Sequence, residues 1–140
     1  MAKGKKFRGP ELVKEIDEAL DKGLARFIIN TQSKLSAASP VKTGRLASGW
    51  YVGKGAPDRS TPPERDAPGQ VVVTKYPGKI TMDSDWYISN NLPYAERSAF
   101  DPGYIGRRGG SSPGQWFTKI QDNLPADAER AFNFFLRKVK

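Results

Sequence analysis

The sequence predicts an α+β domain: a long N-terminal helix, a small antiparallel sheet of three to five strands, and a C-terminal helix packed on that sheet. Three observations predict it. Apolar residues recur at steps of three and four near each end of the chain, the stripe of an amphipathic helix. Between them lie short alternating runs separated by turn residues, which is the pattern of strands. Those runs follow one another without intervening helices, so they pair locally and antiparallel.

The first helix starts at Pro10, which suits a first turn, with Glu11 and Glu15 near the positive end of the helix dipole. Its stripe is Val13, Ile16, Leu20, Leu24, Phe27, Thr31 and Leu35, weakened but not broken by Gly23. Ser39-Pro40 ends it, because the residue before proline is pushed out of helical space. Thr43-Gly44 then reads as a turn, and Leu46, Ser48, Trp50 and Val52 alternate with Ala47, Gly49 and Tyr51 as a first strand. Residues 53–69 hold four prolines and six charges, so they form a long exposed loop. A loop of that length suits an assembly contact ahead of idle disorder or a ligand lid.

Residues 70–76, QVVVTKY, read as a second strand stopped by Pro77-Gly78, with 79–82 extending the pairing. Residues 85–91 read as a third, with Trp86 and Ile88 on one face and Tyr87 and Ser89 on the other. Asn90 and Asn91 can bond local backbone where that strand ends, Pro93 fixes the turn, and Tyr94 is the expected core plug. Loop 99–114 carries Tyr104 and the pair Arg107-Arg108. The last helix begins at Gln115 with Trp116, Phe117, Ile120 and Leu124, is kinked or restarted at Pro125, and continues through Ala128, Ala131, Phe132, Phe135 and Val139. The chain divides into a basic flexible arm, 1–9, and a single domain, 10–140.

Composition narrows the function. The 140 residues include no cysteine and no histidine, which removes disulfides, thiolate chemistry and imidazole-dependent triads. Asp83 and Asp85 would share a face if extended, but two carboxylates without a third make a weak cation site. Tyr94 has no partner base, and no phosphate-cradling glycine motif occurs. The reading is therefore a non-enzyme with no resident cofactor or metal. No apolar run is long enough to span a membrane and no apolar signal segment opens the chain, so the expected location is the cytoplasm or a particle assembled there.

The net charge is +8, with Lys3, Lys5, Lys6 and Arg8 near one end and Arg137, Lys138 and Lys140 at the other. Such clusters are solvated tails, contacts to an acidic partner subunit, or contacts to nucleic acid. Aromatics on both faces at Trp50/Tyr51 and Trp86/Tyr87 suggest that one face meets another subunit.

Three stretches together, SPVKTGRLASGW (39–50), DWYISNNLPYAE (85–96) and SPGQWF (112–117), resemble the signature of the tailed-bacteriophage head–tail joining, neck or tail-completion proteins. The family pattern maps onto Pro40, Thr43, Gly44, Arg45, Leu46 and Trp50, then Asn91, Pro93, Tyr94 and Ala95, then Pro113, Gly114 and Trp116. One departure is the swollen link FDPGYIGRRGG, where the family has a short connection to the last helix. The resemblance implies a virion protein without catalytic activity, in the neck region of the particle and in host cytoplasm during assembly. It further implies a cyclic homo-oligomeric ring, sixfold or twelvefold, that meets portal, adaptor or tail-tube proteins. The alternatives are a tail terminator ring that halts tube polymerisation and a small basic nucleic-acid-binding protein. Arg59, Arg65, Tyr104, Arg107, Arg108, Lys5, Lys6 and Arg8 are the expected interface residues, with non-specific contact to packaged DNA as one role.

Overall fold

In the computed structural model, residues 8–39, 45–63, 78–100 and 115–139 are described. Helix α1, Gly9–Ala38, is followed by strand β1, Tyr51–Lys54, strand β2, Trp86–Ser89, the short helix α2, Ala95–Phe100, and helix α3, Gln115–Leu136. The α+β class and the long terminal helices are as the sequence predicts.

Helix α1 opens with Pro10 in its first turn, and the Leu12 N–H donates to the Arg8 carbonyl at 2.8 Å. It closes at Ser39, whose extended backbone (φ −59°, ψ 133°) is what a following proline demands. Its buried face differs from the predicted stripe. Val13 is 58% exposed, whereas Ala19, Gly23, Gln32 and Ser36 are buried beside Ile28, Thr31 and Leu35. Small and hydrogen-bonding residues occupy those extra positions because α1 is covered on two sides, by α3 and by the strands. Gly23 allows the close approach of α3: a Cβ there would lie 2.6 Å from the Phe132 ring and 2.9 Å from its Cα. The two helices run antiparallel, with Lys34 reaching Asp127 at one level and Gly23 meeting Phe132 at another.

The strands pair antiparallel in the register Tyr51↔Ser89, Val52↔Ile88, Gly53↔Tyr87 and Lys54↔Trp86. The described residues thus contain two strands, fewer than the three to five expected. The predicted strand 70–76 lies outside the described residues. Residues 79–82 do not extend the sheet: Ile80 is a core residue, and the Thr81 carbonyl accepts the Trp86 indole N–H at 2.7 Å. The first strand also starts later than the alternation suggests. Leu46 to Trp50 are all buried, and Arg45 to Ser48 form a turn held by Gly49 N–H to the Leu46 carbonyl, 3.0 Å. Side chains take the carbonyls that a ladder would have used. Ser36 Oγ donates to Ala47 O at 2.7 Å, and Gln32 Nε2 to Trp50 O at 2.8 Å.

Two apolar clusters share Ile88. One joins Leu35, Trp50, Ala99 and Trp116; the other joins Ile28, Val52 and Ile80. Helix α3 runs through Pro125 as one element and does not restart there. Pro125 and Gln121 are both exposed, and the Gln121 carbonyl is the one that a proline at 125 leaves without a helical N–H.

The α1–α3 seam holds one partly buried ionic group. The Asp127 side chain, 8% exposed, accepts from Lys34 Nζ at 2.6 Å and also from Arg130. The Lys34 hydrogen bond in particular holds its carboxyl below the usual aspartate range. A lowered folded pKa gives stability that is present above the ordinary value near pH 4 and is lost as pH falls through the folded one. Asp127→Asn is expected to flatten that part of the acid limb. At neutral pH it should cost at most about 1 kcal/mol, because Lys34 is half-exposed. Urea titrations across pH check both statements.

Candidate functional site

The stretches singled out in the sequence converge on one junction. Asn90, at the end of β2, donates from Nδ2 to the Leu46 carbonyl at 2.9 Å and accepts the Leu92 N–H at 3.2 Å. Gly49 faces the same side chain, and a Cβ there would lie 3.0 Å from the Asn90 amide atoms. Trp50, 7% exposed, donates its indole N–H to Ser39 Oγ at 2.8 Å. It meets Trp116 edge-to-face at 6.2 Å and stacks on Phe117 at 6.3 Å. Trp116 in turn donates to the Ser98 carbonyl of α2 at 3.1 Å. Leu46, Trp50 and Trp116 are thus pieces of one joint between α1, β1, β2, α2 and α3.

The same joint anchors the loop after β1. Arg45 Nε donates to the Pro62 carbonyl at 3.1 Å. Asn91 Nδ2 and Ser89 Oγ both donate to the Asp58 carbonyl, at 2.6 and 2.9 Å. The Asp58 carboxylate accepts the Ser60 N–H at 2.8 Å, and its bonds to Ser60 lower its pKa. Residues 55–63 are therefore fastened, mostly exposed apart from buried Pro62 and half-buried Asp58, with Arg59 at the surface. Tyr94 is half-buried and is not the core plug; Leu92, 4% exposed, fills that place. Pro93 is exposed, and Ala95 begins α2 with its N–H bonded to the Leu92 carbonyl at 3.0 Å.

Arg8 does not belong to a free arm. It precedes α1 directly and bonds Glu11 and Glu15 at 3.1 and 3.2 Å, contacts that raise the pKa of its guanidinium, Glu11 foremost. Lys5, Lys6, Pro40, Thr43, Gly44, Arg65, Tyr104, Arg107, Arg108, Pro113 and Gly114 lie outside the described residues. Gln32, Ser39 and Leu92 were missed as parts of the joint. The one available signal was a glutamine and two serines on, or just past, the inner side of α1.

Beside the joint lies a groove of about 740 Å³, lined mainly by Phe27, Ile28, Trp86, Ile88, Phe117 and Leu124. Phe100, 57% exposed, and Met82, 49% exposed, stand at its edge, and Asp85 and Glu96 add negative charge. Thr31 also lines it, and its buried Oγ1 has no hydrogen-bond partner among the described residues. Tyr87, on the other face of β2, is 39% exposed. Asp83 accepts the Thr81 hydroxyl, which lowers its pKa, and no group of three or more His, Cys, Asp or Glu among the described residues is placed to hold a metal. No described helix is long and apolar enough to cross a membrane. Such an arrangement offers an apolar surface and a fastened loop for contact with protein. Comparison with protein-family models, with curated proteins and with solved structures gives no match.

Proposed function

We propose that the chain is a structural virion subunit of a tailed phage, one that forms a ring at the head–tail neck in head–tail joining or tail completion. The observation that carries the reading is the joint. The stretches whose residues resemble the neck family are the ones that interlock, through Asn90 to Leu46 and Trp50 to Trp116. An exposed apolar groove beside a fastened loop suits a subunit that finishes burying its surface against neighbours. The partners on this reading are further copies of the chain in a cyclic ring and the portal, adaptor or tail-tube proteins on either side. The ring requires two different contact surfaces on each subunit. No turnover and no cofactor belong to this role.

Electron microscopy of particles grown with this gene silenced tests the reading. Filled heads and finished tails lying unjoined are expected. Tails of uncontrolled length would replace the reading with that of a tail terminator. Normal infectious virions would remove both.

A further inference from the structure

The α1–α3 seam presents two rows of exposed side chains, most of them polar or cationic. Lys22, Arg26, Asn30 and Lys34 follow one another at four-residue intervals along α1, all exposed. That interval sets one donor about every 6 Å along one flank. Arg130, Phe134 and Lys138 repeat the interval on the opposite flank, with Arg137 beside them. Between the rows lies a groove of about 640 Å³.

The charges are poorly compensated. Lys22, Arg26, Arg137 and Lys138 form no ion pair among the described residues. Asp127 is already held by Lys34 and Arg130, and Glu129 is the other carboxylate in the groove. Glu15 and Glu18 flank the Lys22 end, where Arg8 engages Glu15. Two of the cations are also positioned in advance. The Arg26 guanidinium and the Lys138 ammonium each lie 4.2 Å from the Phe134 ring centre, one brought by α1 and one from just past the end of α3. Cations held in place before binding lose less side-chain freedom when a ligand arrives.

We propose that this seam is a binding surface for the phosphate backbone of nucleic acid. A linear polyanion matches the regularly spaced donors of the α1 flank, faced across the seam by Arg130, Arg137 and Lys138, and guanidinium forks and amides are the usual phosphate partners. An acidic protein surface fits less well, since protein interfaces have an apolar core and this strip's exposed aromatic ring is occupied by cations. Contact is with phosphates alone and carries no sequence readout. The idea rests on the virion role only for where such contact would occur.

The test is fluorescence anisotropy of the full chain with a labelled DNA duplex of arbitrary sequence, titrated over a range of salt. Binding is expected, with affinity falling steeply as salt rises. The variant R26Q/R137Q/K138Q is expected to bind at least about tenfold more weakly, with a salt slope smaller by about 2.7, three phosphates at about 0.9 each. The variant K14Q/K79Q/K119Q removes the same charge elsewhere and should lose much less. Asn30→Asp removes no cation and should also weaken binding by setting a negative charge within one row. No binding at low salt, equal losses in the two triple variants, or binding to polyglutamate but not to DNA would each overturn the proposal. Each of those results would leave the neck role standing. Conversely, normal virions from a silenced gene would leave measured DNA affinity intact.

Discussion

Trp50→Ala is expected to remove about 3 to 5 kcal/mol of stability, the range for deleting a large buried aromatic. For a domain whose total is of order 5 to 15 kcal/mol, that is a large fraction. The size follows from how many elements meet at this ring. It meets Trp116 edge-to-face, stacks on Phe117, and its N–H holds Ser39 Oγ at the end of α1. Ser39 Oγ itself donates to the Leu35 carbonyl at 2.6 Å, so the ring is tied into the last turn of that helix. Removal would leave a void between α1, α2 and α3 and an unfilled acceptor on Ser39. Trp50→Phe keeps an aromatic ring and should cost markedly less. Equilibrium urea unfolding of the two variants measures the difference. A loss below about 1 kcal/mol for the alanine variant would show that the joint is not the centre of the fold.

The helices were legible in the sequence because their signals are local. Pro10 and Pro40 bracket α1, and Trp116, Phe117 and Ile120 announce α3 by spacing alone. What could not be read there was which polar residues turn inward. Gln32 and Ser36 look like surface residues on a helical wheel. Both are buried because they bond the backbone of a turn that lies 11 to 18 residues away in sequence. The same long-range bonds explain the misplaced start of β1. The alternation at 46–52 imitates a strand, but Leu46, Ala47 and Trp50 give their carbonyls to side chains of β2's end and of α1.

The corner after β2 shows the same division. Adjacent asparagines signal a turn, and Asn90 does accept the Leu92 N–H as a local motif requires. Its second bond to Leu46 and the bond from Asn91 to Asp58 have no local signature. Tyr94 stands out in the sequence as an aromatic just after a strand, yet the less conspicuous Leu92 is the buried one. The basic seam was only partly visible. Arg137 and Lys138 stand out as a terminal cluster, whereas Arg26 and Lys22 join them only once α1 and α3 are laid antiparallel.

Gly53→Ala is expected to cost about 3 kcal/mol, near the upper end for forcing extra volume into a packed site. Gly53 sits in β1 opposite Tyr87, and the chain after the strand folds straight back over it. A Cβ at this position would overlap the Ala56 carbonyl oxygen and lie 2.7 Å from the Asp58 nitrogen. Both are backbone atoms, so no rotamer change relieves the clash and the loop itself must lift. Lifting it pulls the Asp58 carbonyl from Ser89 and Asn91, the two bonds that fasten the loop to the end of β2. Gly55→Ala provides the contrast two residues on. Gly55 has φ +76° and open space around it, so an alanine there meets only a backbone penalty of about 1 kcal/mol. Urea unfolding should therefore rank Gly53→Ala well below Gly55→Ala in stability. Amide exchange should quicken at Ser60 in the first variant, as its bond to the Asp58 carboxylate loosens. The reverse ranking would mean that residues 55–58 do not pack on β1. The loop would then no longer support the proposed role as a surface set in advance for a neighbouring subunit.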